Sequence, residues 1–294
     1  MAPLLARCTF PPAGTEVTCA VSGGADSSAL LVLAVAAGCR VTAVHVDHQL
    51  REGSAAEAAA VGRLAEWVGA SFRAVTVHVG EGPNLEARAR RARYAALPTD
   101  VLTGHTSDDQ AETMLVNLLR GAARSGLSAM RPSTRRPLLA LRRADTEALC
   151  AALDLQVVHD PSNSDPRHLR NRIRHELLPL LHDMSQRDLV PVLTRQADLA
   201  RDESDLLDEL ARAIDPTDAK AVTAAPVALA RRAVRRWLEG EHPPDAATVE
   251  RVLAVARGDA LATDLGAGRR VERHQQRLRI INPSQPWAGT DPSE

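Results

Sequence analysis

This chain of 294 residues has little lysine, few aromatic residues and almost no net charge, and each of these features argues against a class of function. It has a single lysine, Lys220, so a Schiff-base lysine or a phosphate-binding lysine has almost no candidate. Aromatic residues make up 2% of the chain, which argues against a sheet that stacks nucleic-acid bases on aromatic rings. The formal net charge is −1, so no overall basic field attracts nucleic acid. Arginine, which suits bidentate contacts to phosphate, is instead abundant.

Paired cysteines and long apolar runs are also missing. The cysteines form no Cys-x-x-Cys pair, which favours buried reduced thiols over zinc, iron–sulfur clusters or disulfides. They are Cys8, Cys19, Cys39 and Cys150. No apolar run reaches membrane-spanning length, so no membrane partner is expected. Residues 1–12 lack the basic start and apolar stretch of a signal peptide, so we expect a cytoplasmic protein.

The stretch from Ser22 to Ser28 joins a short apolar run to a run that Gly38 can end as a helix. Two adjacent glycines permit positive φ, and the N–H groups of the following helix start point into the turn. Three serines add hydroxyl donors, so the turn predicts an anion site. Its spacing is neither a Walker loop nor the dinucleotide fingerprint. A glycine-rich turn with a Ser/Asp helix cap is the alternative without a ligand.

Strand and helix patterns alternate through residues 1–184. Short continuous apolar runs at 17–21, 41–46, 72–79 and 101–103 predict an α/β domain with a parallel sheet covered on both faces. Residues 136–141 and 156–158 are predicted as further strands around a helix at 145–153.

The pattern changes after residue 184. Long helices are predicted at 188–213, 227–239 and 246–257, with a linker at 216–225 and a terminal hairpin within 271–281. We therefore expect a smaller, mostly helical C-terminal domain over 185–284 and a disordered tail at 285–294.

Three suggestive segments, 22–28, 45–51 and 104–112, begin where predicted strands end, and ligands bind at that edge of a parallel sheet. Ser107 and Gln110 predict a capping box at the start of a helix. Asp109 and Arg120 lie about 16 Å apart along that helix, so they do not ligate one atom. The alternative is that Asp109 stabilises the positive end of the helix dipole and Arg120 the negative end. The spacing alone favours neither this explanation nor a functional one.

Two arginine clusters stand out. Residues 167–175 follow the turn-rich loop 160–165 and either hold phosphates or form a solvated helix face. The second cluster lies on one predicted helix and either contacts phosphates or pairs with acids such as Glu203 or Asp205. It consists of Arg231, Arg232, Arg235 and Arg236.

The motif Ser-Gly-Gly-x-Asp-Ser at 22–27 resembles the PP-loop of the ATP pyrophosphatase superfamily, whose fold is the adenine nucleotide α-hydrolase-like parallel sheet. Further motifs, taken together, resemble the tRNA(Ile)-lysidine synthetase family over about the first 175 residues. They are His-Val-Asp-His-Gln-Leu-Arg at 45–51, Asn-Leu-Glu-Ala-Arg at 84–88, Gly-His-Thr-Ser-Asp-Asp-Gln-Ala-Glu-Thr at 104–113, Asn-Leu-Leu-Arg-Gly at 117–121, Arg-Pro-Leu-Leu at 136–139, Asp-Pro-Ser-Asn at 160–163 and Arg-Asn-Arg-Ile-Arg at 170–174. One departure is Thr106, where the family commonly has a second histidine.

The resemblance implies a reaction in two steps. ATP adenylates the C2 oxygen of the wobble cytidine in an isoleucine tRNA with a CAU anticodon, and pyrophosphate leaves. The ε-amino group of free L-lysine then displaces AMP and forms lysidine, which changes codon specificity from AUG to AUA. A homodimer is an open expectation.

The resemblance also implies an ATP site with Mg²⁺. Asp26 is the candidate metal ligand, and His45 borders the adenosine. The residues expected to hold ATP are Ser22, Gly23, Gly24, Ala25, Asp26, Ser27 and His45.

The resemblance also implies a site for lysine. The carboxylates expected either to bind metal or to receive the lysine ammonium group are Asp108, Asp109 and Glu112. Arg120 stabilises charge on the AMP phosphate or the cytidine oxygen. The base that deprotonates lysine is His105 or one of the carboxylates. The candidate contacts to tRNA are Arg170, Arg172, Arg174, Arg232 and Arg236.

Two alternatives compete with this interpretation. A PP-loop thiolation enzyme, such as a 2-thiocytidine synthetase, shares the adenylation step but usually carries paired cysteines. A catalytically dead tRNA-binding scaffold has no physical need for the intact motifs at 22–27 and 108–113.

Overall fold

The computed structural model describes residues 1–47, 54–78, 80, 85–158, 165–240 and 243–282. The chain forms two compact units, Met1–Ala200 and Arg201–Glu294, whereas the sequence predicted a boundary after residue 184. Motif residues 48–51, 84 and 160–163, and the tail predicted to be disordered at 285–294, lie outside the described residues. Among the described residues, none of the helices combines the length and hydropathy that a bilayer-spanning segment requires.

Among the described residues of the first unit, three parallel strands form a sheet in the order β1-β2-β3. They are β1 (Glu16–Ala20), β2 (Arg40–Asp47) and β3 (Ser71–Thr76). Val17 of β1 pairs with Val41 of β2, and Val46 of β2 pairs with Val75 of β3. The predicted parallel sheet is therefore confirmed for the first three strands.

The helices of residues 1–211 follow in chain order; a π-helical turn, Ile173–Leu177, lies between two of them, and the last helix runs from the first unit into the second. They are α1 (Ala2–Leu5), α2 (Ala25–Ala36), α3 (Ser54–Val68), α4 (Leu85–Ala95), α5 (Ser107–Leu119), α6 (Arg124–Leu127), α7 (Arg143–Ala152), α8 (Leu169–Arg172), α9 (Leu178–Ser185) and α10 (Val190–Ala211). Leu30, Leu31 and Leu33 of α2 are fully buried in the main core together with β1 and β2. The core thus fixes α2, and with it the loop that precedes it.

The second unit has its own core and its own antiparallel sheet. Its elements are α11 (Ala219–Ala224), α12 (Val227–Leu238), α13 (Ala246–Arg257), β4 (Ala262–Gly266), β5 (Arg269–His274) and β6 (Arg277–Ile281). Val234, Val252 and Val271 are fully buried in this core. The helices predicted at 227–239 and 246–257 are confirmed.

One prediction for the second unit is wrong, and another is incomplete. The predicted linker at 216–225 contains α11, because the Asp218 carboxylate accepts the N–H groups of Lys220 and Ala221 and caps a helix there. The terminal hairpin predicted within 271–281 is confirmed as β5 and β6, and β4, which was not predicted, pairs with β5 as a third antiparallel strand.

The fourth predicted parallel strand, residues 101–103, is wrong in extent. Only Leu102 pairs with β1, through one parallel bridge to Cys19 and backbone hydrogen bonds of 2.8 and 3.0 Å. Val101 still belongs to the turn after Pro98, since its N–H donates to the Pro98 carbonyl at 3.2 Å. The bridge nevertheless places residue 104 at the same edge of the sheet as the loop after β1.

Residues 136–141 are not a strand either. They form successive turns, in which the Leu141 N–H donates to the Leu138 carbonyl at 2.8 Å. Both leucines are fully buried. The apolar pattern at 136–141 therefore comes from two leucines that pack in the core, and not from a strand that pairs in the sheet.

Residues 156–158, also predicted as a strand, make no ladder with the sheet. The Val158 N–H instead donates to the Gly23 carbonyl at 2.9 Å. This segment therefore lies against the loop before α2 and supports it.

Gly104 is the point of closest approach between two segments of the sheet edge. A Cβ atom there would lie 2.6 Å from the Asp26 carbonyl oxygen and 3.2 Å from the Ser27 backbone nitrogen. Backbone atoms cannot rotate away as a flexible side chain does, so only glycine allows this contact.

We expect Gly104→Ala to lower the free energy of unfolding by about 1–3 kcal/mol, because the added methyl group overpacks backbone against backbone. Urea unfolding of the purified variant measures this. Gly80→Ala is the matched control, since a Cβ there meets nothing within 4 Å. Its effect is expected within about 0.5 kcal/mol. Equal effects of the two substitutions would contradict the close approach.

Candidate active site

The loop between β1 and α2 has a shape that glycine and serine determine. Gly23 has φ +91°, and a Cβ there would meet the Val158 side chain at 2.8 Å. The Ser27 hydroxyl donates to the Gly24 carbonyl at 2.9 Å and accepts the Ser22 N–H at 3.2 Å. The loop is thus closed on itself by its own side chains.

The start of α2 is open toward the loop. Gly24 is its N-cap residue and has no side chain to bond the first-turn N–H groups. Those groups and the positive end of the helix dipole lie next to the loop, in which the Ser22 hydroxyl is 3.2 Å from the Ser27 hydroxyl. An uncapped helix start after a glycine-rich loop is compatible with the predicted anion site, which stays a prediction.

His45 of β2 is buried against the end of β1. Its Nδ1 lies 2.9 Å from the Val21 carbonyl oxygen. Because a carbonyl oxygen only accepts, Nδ1 carries the proton and donates it. This bond orients the His45 ring relative to the loop.

The start of α5 differs in detail from the sequence prediction. Thr106, not Ser107, is the N-cap residue, and Asp109 completes the box by accepting the Thr106 N–H at 2.8 Å. The Ser107 hydroxyl donates to the Leu141 carbonyl at 2.9 Å, and the Gln110 amide bonds the backbone of Met130. The predicted capping residues therefore hold neighbouring segments instead of the helix end.

A cluster of three carboxylates and three arginines, which we call the charge cluster, fills the space beside the loop. Its members are Asp26, Asp109, Glu112, Arg143, Arg170 and Arg174. The Glu112 side chain is 0% exposed and accepts hydrogen bonds from all three arginines. The distances are 3.2 Å to Arg143, 2.8 Å to Arg170 and 2.7 Å to Arg174.

Asp109 shares the same arginines. Its Oδ1 lies 3.2 Å from Arg143, 3.1 Å from Arg170 and 3.5 Å from Arg174. Burial opposes ionisation of Asp109, but the attraction of Arg170 and Arg143 outweighs it and lowers the pKa of this carboxyl group. Asp109 is therefore held as a carboxylate.

Asp108 faces a different partner. The Arg142 guanidinium donates two hydrogen bonds of 3.0 Å to its carboxylate, and the Arg143 N–H donates a third at 2.8 Å. Burial raises the pKa of Asp108, but these donors together lower it further than burial raises it. Arg142 also pairs with Asp188. Asp108 thus fastens α5 to the start of α7.

Asp26, in the first turn of α2, is the least compensated carboxylate of the charge cluster. It accepts a hydrogen bond from the buried Thr146 hydroxyl, and Arg143 Nε lies 3.6 Å away. Burial is the largest effect and raises the pKa of Asp26 to about 6. The side chain keeps 27% exposure, so it remains accessible from the loop.

His105 lies just before α5. Its Nδ1 is 2.8 Å from the Thr103 hydroxyl, which also donates to the Arg135 carbonyl at 3.2 Å. These bonds place the ring at the edge of the sheet where the loop and the charge cluster also lie.

Four predicted site arginines lie elsewhere. Arg120 is exposed at the C-terminal end of α5, away from the carboxylates in the first turns of that helix. Arg172 pairs with Glu176 in an exposed i, i+4 pair. In the second unit, Arg232 bonds Asp208 and Ser204, and Arg236 donates to the Ala211 carbonyl at 3.2 Å. The role proposed for Arg120 at the AMP phosphate or the cytidine oxygen stays a prediction, and so do the tRNA contacts proposed for Arg172, Arg232 and Arg236.

Sequence reasoning missed Arg142, Arg143 and Thr146. One signal was available, because arginines at the first positions of a helix oppose its dipole and require nearby carboxylates. Arg142 is the N-cap residue of α7 and Arg143 its first residue. No local pattern indicates that Thr146 reaches Asp26, since the two are 120 positions apart.

Comparison with known proteins gives consistent results. A family model described as a PP-loop domain matches residues 5–181. The tRNA(Ile)-lysidine synthase of Nocardia farcinica is 46% identical over 245 residues, which cover 78% of this chain and 77% of the relative. The enzyme of Rhodococcus erythropolis is 43% identical, over 76% of this chain and 74% of its own. That of Thermobifida fusca is 37% identical over 302 residues and 92% of both chains.

The raised pKa of Asp26 predicts a pH-dependent stability. The native state binds this proton more tightly than the unfolded chain, whose ordinary aspartate pKa is 3.8. The stabilisation from the protonated group is therefore complete below about pH 4 and is lost as the pH rises through about 6. We expect the free energy of unfolding, relative to Asp26→Asn, to fall by about 2–3 kcal/mol over that window. Urea unfolding of both proteins without metal, from pH 4 to 7.5, measures it; a constant or rising difference would contradict the assignment.

Proposed function

Because this chain belongs to the tRNA(Ile)-lysidine synthase family of PP-loop enzymes, we propose that its loop and charge cluster together form lysidine on an isoleucine tRNA. The protein is an ATP-dependent ligase that joins lysine to C2 of the wobble cytidine in the CAU anticodon. It uses ATP to adenylate the C2 oxygen, and lysine then displaces AMP. The observation that carries the site assignment is the open start of α2, which faces the charge cluster through Asp26.

The loop supplies the phosphate site for ATP. Its N–H groups and the Ser22 hydroxyl donate to phosphate oxygens, while the helix dipole favours the negative charge. These donors suit pyrophosphate, whose charge grows as it leaves the α-phosphate. His45 is oriented by the carbonyl at the end of β1, and we assign it to the edge of the adenosine site.

Asp26 fits the role of a Mg²⁺ ligand. Mg²⁺ is usually held by one or two carboxylates together with substrate phosphates. Asp26 is partly exposed beside the phosphate site, whereas Asp109 and Glu112 are engaged by arginines at hydrogen-bond distance. When bound, the ion neutralises charge on the phosphates of ATP.

The charge cluster matches both ends of a free amino acid. Asp109 and Glu112 offer carboxylates for the lysine ammonium group, with Asp108 beside them on α5. Arg170 and Arg174 keep 35% and 24% exposure, so they are the arginines that can turn toward the α-carboxylate of lysine. Lysine thus binds by replacing an arginine as the partner of a carboxylate, and a carboxylate as the partner of an arginine, within the charge cluster.

His105 is the best candidate for the base that deprotonates the lysine ε-amino group. The lowered pKa values of Asp108 and Asp109 make these carboxylates weaker bases. The His105 ring lies at the sheet edge, with its Nδ1 at the Thr103 hydroxyl, and a neutral imidazole nitrogen can accept a proton. Arg120 keeps its proposed role at the adenylated cytidine, which requires the tRNA to extend along α5.

The decisive assay combines the protein with ATP, labelled lysine and a CAU-anticodon transcript of the isoleucine tRNA. We expect pyrophosphate release and incorporation of lysine into the tRNA by the wild-type protein. The same tRNA with a GAU anticodon is the control and is expected to remain unmodified. Asp26→Ala is expected to lower pyrophosphate release by at least about a hundredfold, because a phosphate-site carboxylate is lost.

Two results would count against this proposal. Lysine-independent transfer of sulfur to the tRNA would favour the thiolation alternative. Wild-type pyrophosphate release by Asp26→Ala would remove Asp26 from the ATP site.

A further inference from the structure

Thr146 occupies a position at which the packing of α7 favours an apolar side chain. Leu149 and Cys150 of the same helix pack in the main core, and Thr146 is 0% exposed. Valine has nearly the same shape as threonine without the hydroxyl, and a buried hydroxyl is costly unless it is hydrogen-bonded. The partners of this hydroxyl therefore indicate what the residue does.

The Thr146 hydroxyl has two acceptors within reach but only one proton to donate. One acceptor is Oδ1 of the Asp26 carboxylate. The other is the Arg143 carbonyl of α7, at 2.8 Å. Because a charged acceptor forms the stronger hydrogen bond, the proton is donated to Asp26. A carbonyl inside a helix already accepts the N–H four residues further on, so α7 does not need the hydroxyl.

One face of α7 supports the start of α2. Its residues Arg143, Thr146 and Cys150 are three and four positions apart, which makes them neighbours on the helix surface. Arg143 and Thr146 lie at the Asp26 side chain, and the Cys150 thiol donates to the Ala25 carbonyl at 3.4 Å. Ala25 and Asp26 are the first two residues of α2. The contacts of α7 thus reach both the backbone and the carboxylate that follow the loop.

The two oxygens of the Asp26 carboxylate have different surroundings. Oδ1 accepts the hydroxyl of the buried Thr146. Oδ2 lies 3.6 Å from Arg143 Nε, which is longer than a hydrogen bond. The Asp26 side chain is 27% exposed. A carboxylate that is held through one oxygen from the buried side keeps its second oxygen for a ligand that enters from the loop.

We propose that Thr146 is a positioning residue, which holds Asp26 in the orientation that binds Mg²⁺ together with ATP. This inference rests on the proposed function, because that function makes Asp26 the metal ligand. Thr146 acts through Asp26 and is not itself a ligand. Loss of such a partner typically weakens metal binding about 10–100-fold, because the ligand is then no longer held in one orientation.

Calorimetry of ATP binding to the protein without tRNA and lysine tests this proposal. Each variant is titrated with ATP twice, once with saturating Mg²⁺ and once with EDTA. Thr146→Val removes the hydroxyl and keeps the shape, whereas Thr146→Ser keeps the hydroxyl. Thr223→Val is the matched control, because the Thr223 hydroxyl donates to the Ala219 carbonyl of α11, in the second unit, at 2.6 Å. Thermal unfolding without ATP checks that each variant is folded.

With Mg²⁺, we expect Thr146→Val to raise the Kd for ATP about 10–100-fold, because Asp26 loses the hydrogen bond that orients it. Thr146→Ser and Thr223→Val are expected to stay within about threefold of the wild type, since neither removes that bond. With EDTA, all three variants are expected to bind ATP as the wild type does, because the N–H donors of the loop are unchanged.

A double-mutant cycle shows whether the effect passes through Asp26. Once Asp26→Asn has removed the metal ligand, we expect the addition of Thr146→Val to leave the Kd for ATP with Mg²⁺ unchanged. If Thr146→Val does not fold, Thr146→Ala takes its place with the same expectations, since it also lacks the hydroxyl.

Three results would overturn the inference. The first is an equal rise in Kd for Thr146→Val with Mg²⁺ and with EDTA, which would mean that the substitution disturbs the loop and not the metal ligand. The second is an equal rise for Thr146→Val and Thr146→Ser. The third is a further rise when Thr146→Val is added to Asp26→Asn.

The same measurements separate this inference from the proposed function. A wild-type protein that forms lysidine, with a Thr146→Val variant that binds ATP and Mg²⁺ normally, refutes the inference only. A wild-type protein that forms no lysidine, with Mg²⁺-dependent ATP binding that needs both Asp26 and the Thr146 hydroxyl, refutes the proposed function and retains the inference.

Discussion

The site depends on one constraint, which is that the fully buried Glu112 carboxylate must be paired. An isolated charge in a protein interior is too costly to keep, so the chain has to bring cations to it. Three arginines from two distant segments do so: Arg143 at the start of α7, and Arg170 and Arg174 around the start of the π-helical turn. The pairing therefore determines where these helices lie relative to α5.

Arg143 extends this constraint to the nucleotide loop. The same guanidinium contacts Glu112, Asp109 and Asp26, and Asp26 belongs to the first turn of α2. The backbone contact at Gly104 joins α2 to the segment before α5 from the other side. The N–H groups that bind phosphate, the carboxylates and the candidate base His105 are thus held at one edge of the sheet. Arg143 and Gly104 make the contacts that join them. A reaction that needs ATP and an amino acid at the same cytidine requires this proximity.

Local patterns in the sequence predicted the parts of the fold that depend on local chemistry. The loop at 22–28 was recognisable because glycine, serine and helix-start signals coincide after a buried strand. The strands predicted at 136–141 and 156–158 failed because an apolar pair such as Leu138 and Leu141 looks the same whether it pairs in a sheet or anchors a turn. Only contacts distant in sequence distinguish the two cases.

The site was predictable only in part for the same reason. Position at strand ends indicated that Asp26, His45, His105 and Asp109 belong together, and they lie at one edge of the sheet. The partners of the carboxylates could not be derived, because pairing of Glu112 with Arg143 and Arg174 joins residues 31 and 62 positions apart. A charge-rich stretch such as 170–174 does not reveal which of its arginines face inward: Arg170 and Arg174 do, whereas Arg172 pairs with Glu176 at the surface.

A double-mutant cycle tests most directly whether the buried charge pairing holds the site together. The cycle combines Arg143→Gln with Glu112→Gln and follows the free energy of urea unfolding. The matched control cycle uses Arg172→Gln and Glu176→Gln, an exposed pair of the same chemical type. We predict a coupling energy of at least about 1 kcal/mol for the buried pair and at most about 0.5 kcal/mol for the exposed pair. Additive effects of Arg143→Gln and Glu112→Gln would contradict the account.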